Sequence, residues 1–151
     1  MSSTKQNKVK GLVCPSVITV LALFATSLQA AATFTGQDYS GVYDCMGQDG
    51  HEGQYAGVVT MRLQPEHSHG DYASYDFKLE VPEYGVYLGH AAAHGAQVAM
   101  HFGLSDPATQ DVGTGVATMS TDARGRLTFH KFYYQPAYKG GNTGTEDCTR
   151  R

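Results

Sequence analysis

Residues 72–105 read YASYDFKLEVPEYGVYLGHAAAHGAQVAMHFGLS. Two stretches of it alternate with a period of two. Tyr75, Phe77, Leu79 and Val81 stand against Asp76, Lys78 and Glu80, and Val98, Met100, Phe102 and Leu104 stand against Ala99, His101, Gly103 and Ser105. Successive side chains of an extended strand point to opposite faces, so each apolar row belongs on one buried face. Pro82 to Gly85 and His94-Gly95 break the stretch as turns. The passage therefore predicts three consecutive strands, near 72–81, 86–93 and 96–105, joined by short links.

The same grammar extends in both directions. Further strands are expected near 41–48, 54–65, 112–121, 126–135 and 143–150. Between them lie Asp49-Gly50-His51-Glu52-Gly53, Glu66 to Asp71, Asp106 to Asp111, Asp122 to Gly125 and Pro136 to Asn142, all rich in turn formers. No segment long enough for a helix shows helical spacing. The expected fold class is therefore all-β: an eight-stranded antiparallel up-and-down barrel. An even number of strands leaves the first and last antiparallel and free to pair. Gly57, Gly89, Gly103, Gly113 and Gly115 fall inside strands, where they ease the coiling of a small closed sheet.

The first residues carry Lys5, Lys8 and Lys10, then an uncharged run from Leu12 to Ala32 that ends in Ala30-Ala31-Ala32. This basic, apolar and small-residue order is that of a secretory signal peptide. The expected organisation is a signal peptide over 1–32 and a single domain over 33–151, periplasmic or secreted and free of the membrane after cleavage. All 14 acidic residues fall in the second segment but only eight of the 11 Lys and Arg, a net formal charge of −6. An acidic domain without a basic cluster repels phosphate backbones, which excludes nucleic acid as a partner class. Cys14 leaves with the signal, so Cys45 and Cys148 remain as an even pair in a compartment that permits disulfides. A bridge between them closes a loop of about 100 residues, worth about 4 kcal/mol by chain entropy. If the two cysteines lie opposite each other on the first and last strands, Tyr43 faces Arg150 and Asp44 faces Thr149.

Gly41-Val42-Tyr43 in the first strand and Arg150 in the last resemble the calycin arrangement of lipocalins and avidins, in which a G-x-W motif near the chain start packs with an Arg of the final strand. Tyr43 stands in the place of the Trp. The resemblance implies an architecture, with Tyr43 and Arg150 closing the barrel, an open mouth at the first connection and the chain start at the closed base. It does not imply biotin, because avidins line that site with tryptophan and this chain has none. Tyr43-Asp44-Cys45 and Cys148 also resemble the Tyr-x-Cys and late Cys of some small secreted lysozyme inhibitors.

In such a meander the odd-numbered connections gather at one mouth. That rim is expected to hold His51, Glu52, Tyr84 and Asp106, with Asp111, Tyr138, Lys139 and Asn142, a polar and aromatic set of the kind that orients a small ligand. The other end would gather His67, His69 and His94. His-x-His on a strand puts two imidazoles on one face, a Zn or Cu spacing to which His94 could add a third nitrogen, although Glu66 to Gly70 reads equally as an exposed turn. His101 is expected to look outward. His130, among Phe129, Phe132, Tyr133 and Tyr134, is expected to pack in the core, and Met61, Tyr75, Phe77, Met100, Phe102 and Phe129 to fill the interior.

The chain has no G-x-S-x-G and no H-E-x-x-H. The expectation is a non-enzymatic, exported binding barrel that needs no cofactor and takes an unidentified small ligand. The alternative is a protein-binding inhibitor of the lysozyme- or protease-inhibitor type, whose acidity suits a cationic target.

Overall fold

The structure, a computed structural model, describes residues 33–151. The expected signal peptide lies outside them. Eight strands follow in chain order: β1 (Gly41–Asp49), β2 (Gly53–Leu63), β3 (Tyr72–Val81), β4 (Gly85–His94), β5 (Gln97–Leu104), β6 (Val112–Thr121), β7 (Leu127–Gln135) and β8 (Asn142–Arg150). Each pairs antiparallel with the next, and β1 pairs with β8 to close the barrel. The only helical pieces among the described residues are single 3₁₀ turns at Pro65–His67, Pro107–Thr109 and Tyr138–Gly140.

The seam between β1 and β8 has the register the cysteines dictate. Cys45 lies opposite Cys148, Tyr43 opposite Arg150 and Asp44 opposite Thr149. The two sulfurs are bonded, across 103 residues of chain.

Alternation places the core. Tyr75, Phe77 and Leu79 of β3 meet Val98, Met100 and Phe102 of β5 inside the barrel, with Met61 and Phe129. Full burial of such a side chain is worth about 1.5–3 kcal/mol. Tyr43 is wholly enclosed against the Phe129 ring, at 5.2 Å between centroids, and its hydroxyl donates to the Tyr39 carbonyl at 2.7 Å. The segment before β1 thus covers one end of the barrel: Tyr39 N–H donates to the Tyr75 hydroxyl, and Phe34 packs on the core. Arg150 lies over Gly41, where a Cβ would come within 2.6 Å of its Nε.

β7 departs from the expected pattern. His130 does not pack in the core; it points outward, 60% exposed, and its Nδ1 lies 2.8 Å from Asp147 Oδ1. Lys131 is buried in its place, while Phe132 stands in solvent. Phe129 and Tyr133 anchor the inner face, and a period of two then turns the residues between them by position rather than by polarity.

Candidate functional site

Asp49 ends β1 with its carboxylate folded over the following turn. Its Oδ1 accepts the backbone N–H groups of His51 at 2.8 Å and Glu52 at 2.9 Å, the local bond that makes Asp a turn former. This fixes the first connection so that Glu52 reaches across the mouth. Tyr138 donates its hydroxyl to Glu52 Oε1 at 2.8 Å, and Lys139 pairs with the same oxygen. Tyr84 lies 2.5 Å from Tyr138, hydroxyl to hydroxyl. Since Tyr138 spends its proton on Glu52, Tyr84 is the donor of that pair. The His51 ring sits edge-on to Tyr138, and its Nε2 donates to the Gly141 carbonyl at 3.1 Å. The first, third and seventh connections are thereby tied into one rim.

The fifth connection does not join it. Asp106 accepts the Ala108 N–H on Oδ1 at 3.0 Å and the Thr109 hydroxyl on its carbonyl, so it caps its own 3₁₀ turn. Asp111 and Asn142 do not stand on the rim either; both are buried one layer below it, because each falls on an inward position next to the end of a strand.

That lower layer is a chain of side-chain hydrogen bonds. Tyr87 donates to Asp111 Oδ2 at 2.7 Å, and Gln135 donates its amide to Asp111 Oδ1. Asn142 donates to Gln135 Oε1 and to Asp49 Oδ2, both at 2.7 Å, and Tyr133 donates to Asp49 Oδ2 at 2.7 Å. Deeper still, Lys131 Nζ and Glu146 Oε2 approach to 2.5 Å with side chains 1% and 0% exposed, and Tyr55 donates to Glu146 Oε1. Neither ion-pair atom has a hydrogen bond of aligned geometry, and the ammonium nitrogen lies 5.0–5.4 Å from the ring centroids of Phe77, Phe102 and Tyr133. Strand register makes both layers, since Gln135 pairs with Asn142 and Lys131 with Glu146.

Two glycines make room for the tyrosines. A Cβ on Gly47 would fall 2.1 Å from the Tyr55 ring, and one on Gly144 would fall 2.2 Å from the Tyr133 hydroxyl. Each glycine is the cross-strand partner of its tyrosine. The rings lie flat across the bare backbone and so reach the carboxylates in the barrel centre.

The electrostatics follow from burial and donors. Burial works to raise Asp49, but bonds from Tyr133, Asn142 and the Glu52 and His51 backbone outweigh it and leave its pKa lowered. At Asp111 burial prevails over the Tyr87 and Gln135 donors, and the pKa is raised. The Lys139 bond holds Glu52 below the usual carboxylate range. Burial, and then the carboxylate each one meets, pushes the Tyr55, Tyr87 and Tyr133 hydroxyls far up, and burial, then Tyr84, then Glu52 do the same to Tyr138, so all four remain donors.

Between rim and floor lies a cavity of about 60 Å³. Tyr55, Tyr84, Tyr87, Phe102, Tyr133 and Tyr138 form its aromatic wall, and Asp49, Glu52, Lys131, Gln135 and Glu146 its polar part. A full ligand pocket of a drug-sized molecule is about 300–1,000 Å³. This cavity takes a few atoms or a head group.

The histidines expected to meet at the opposite end do not converge as ligands. His69 stacks on Tyr72, Tyr72 stacks on His94 with centroids 4.3 Å apart, and His94 Nε2 pairs with Asp71 at 2.9 Å. His67 rides on a 3₁₀ turn beside Glu66. Among the described residues the one group of three potential metal ligands is Cys45, Glu146 and Cys148, and there the sulfurs are bonded to each other. His101 looks outward from β5, opposite His90 of β4.

Compared with known protein families and with curated proteins, the chain matches none.

Asp49, Glu146, Lys131 and Tyr55 escaped the sequence reading, although one signal pointed to the two carboxylates. With Cys148 inside, a period of two also carries Glu146, Gly144 and Asn142 inside; with Cys45 inside, it carries Tyr43, Gly47 and Asp49.

Proposed function

We propose that the protein is an exported, non-enzymatic binding barrel of calycin-like architecture, and that its ligand site is the mouth shared by the first, third and seventh connections. The observation that carries this reading is the cavity itself, open between Tyr84, Tyr138 and Glu52 above and the buried Lys131–Glu146 pair below. The covered opposite end and the packing of Gly41, Tyr43 and Arg150 support the calycin-like comparison. The disulfide fits an oxidising compartment. A non-enzymatic role is favoured because each polar group at the mouth is already committed: the His51 ring to a carbonyl, Glu52 to Tyr138 and Lys139, Asp49 to four donors. None is left to share a reacting atom.

The small cavity favours a second form of the same reading. A protein partner could insert one side chain into the mouth, as an inhibitor-type module would, with the acidic domain steering a cationic target.

Native mass spectrometry of the exported protein tests the site. The expected result is a retained small molecule that disappears when Tyr84→Trp crowds the mouth. Wild type and variant each at the mass of its own bare chain, with no protein partner recovered by the wild type in a pull-down, would overturn the mouth as a binding site.

A further inference from the structure

Three carboxylates line the cavity, Asp49, Glu52 and Glu146, and a fourth, Asp111, stands behind it, bonded to the lining residues Tyr87 and Gln135; each of the four is met by the hydroxyl of a different tyrosine. Tyr133 meets Asp49, Tyr87 meets Asp111, Tyr138 meets Glu52 and Tyr55 meets Glu146. Only two of the four have a cation. Lys131 pairs with Glu146 and Lys139 with Glu52. Asp49 and Asp111, 8% and 1% exposed, are held by neutral donors alone. An ionised group withdrawn from water and left without a counter-charge is costly, and a positive group brought close recovers part of that cost. Asp49 and Asp111 are thus the two of these four carboxylates that no Lys or Arg of the described residues meets.

The geometry selects the kind of cation. Both oxygens of Asp49 and both of Asp111 already accept hydrogen bonds, which leaves them poorly placed for the inner coordination sphere of a metal ion, and no three ligand atoms converge at the mouth among the described residues. What the wall offers instead is aromatic rings whose hydroxyls are drawn toward carboxylates, a polarisation that enriches the ring faces. A diffuse organic cation is attracted by such faces and by a nearby negative field without needing a free oxygen lone pair. The barrel already seats one ammonium among rings, Lys131, which also pairs directly with Glu146.

We propose that the mouth binds a small organic ammonium, its charged head seated among Tyr84, Tyr87, Tyr133 and Tyr138 with Asp49 and Asp111 as counter-charges. This rests on the reading of the mouth as a binding site and names the ligand's chemistry. A cavity of about 60 Å³ sets the size: a methylated or primary ammonium head, with any tail left outside.

Three probes of one shape separate charge from fit: choline, its neutral isostere 3,3-dimethylbutan-1-ol, and the anion 3,3-dimethylbutyrate. They are titrated at matched chloride while the ring signals of the mouth tyrosines are followed by NMR in ¹³C-tyrosine-labelled protein. Choline is expected to shift Tyr84, Tyr87 and Tyr138 saturably, the alcohol to bind at least about tenfold more weakly and the anion not to register. Asp111→Asn should weaken choline about fivefold or more, with Asp147→Asn on the outer wall as the unchanged control. Should the Asp111 variant not fold, Tyr84→Leu keeps apolar bulk but removes a ring face, and should weaken choline while sparing the alcohol. If the alcohol or the anion shifts the same rings as strongly as choline, the ammonium proposal falls and the mouth remains a binding site. If none of the three binds, the ammonium proposal also falls, and the Tyr84→Trp mass spectra decide the mouth separately.

Discussion

The Lys131–Glu146 pair is the feature most exposed to refutation. Replacing Lys131 by Met removes one charge from a site where both side chains are essentially fully enclosed, and leaves the Glu146 carboxylate with only the Tyr55 hydroxyl. Removing one partner of a buried pair costs about 3–5 kcal/mol, because the other charge stays desolvated and uncompensated. For a domain of this size each kcal/mol moves the melting midpoint by roughly 3–5 °C, so Lys131→Met should melt about 9–25 °C below the wild type. Glu146→Gln alone should fall by a similar amount. In the double variant both charges are gone, Met fills the lysine stem's volume, and the Gln carbonyl still accepts from Tyr55; it should return to within about 2 kcal/mol of the wild type. Circular-dichroism melts and urea titrations of the four proteins close the cycle. A Lys131→Met melt within about 3 °C of the wild type, or a double variant that loses the sum of the two singles, would refute a buried, mutually dependent pair.

Reducing the Cys45–Cys148 bond, or replacing either cysteine by Ser, should lower stability by about 2–5 kcal/mol, read as a lower urea midpoint under reducing conditions. Gly144→Ala places a methyl where the Tyr133 hydroxyl lies and should cost about 1–3 kcal/mol by overpacking, measured by thermal melt. The buried aspartates titrate with opposite signs. Asp49, its folded pKa lowered, stabilises above its unfolded value of about 3.9, and that share is lost as pH falls through the folded pKa, so the acid loss of stability should be shallower in Asp49→Asn than in wild type. Asp111, its folded pKa raised, binds its proton more tightly when folded, so its ionisation destabilises as pH rises. The melting midpoint of Asp111→Asn relative to wild type should therefore be more favourable at pH 7 than at pH 4, and no change in that difference would count against the buried charge.

The barrel was legible in the sequence because its signals are local. Alternation in β3 and β5, turn residues at each connection and two cysteines at the ends fix strand number, register and closure with no knowledge of what faces what inside. The inner chemistry was hidden by the habit of assigning polar residues to the outside. Lys131 and Glu146 are each unfavourable inside alone and become tolerable only as cross-strand partners, a relation that appears once β7 and β8 are registered. His130 misled in the opposite sense: its aromatic neighbours alternate between core and solvent, so an apolar stretch did not mark a buried one. The rim was legible as a list but not as a shape. Glu52, Tyr84 and Tyr138 meet because their turns point inward, while Asp106 bends into its own loop, a choice made by backbone hydrogen bonds that composition does not reveal.

Seven of the eight strand pairings join neighbours in the chain; only β1 with β8 joins strands far apart. The place where the chain is cut is thus independent of the shape that results. A circular permutant that links Arg151 to the β1 side and opens the Asp122–Gly125 turn would keep every ladder, yet make β8 and β1 consecutive. The same two sulfurs would then cross-link a hairpin, closing a loop of some tens of residues or fewer instead of one of about 100, and their effect on the unfolded chain would shrink by about 1–2 kcal/mol. The bond acts on the unfolded chain through the order of its strands, while the folded barrel would be the same in either order.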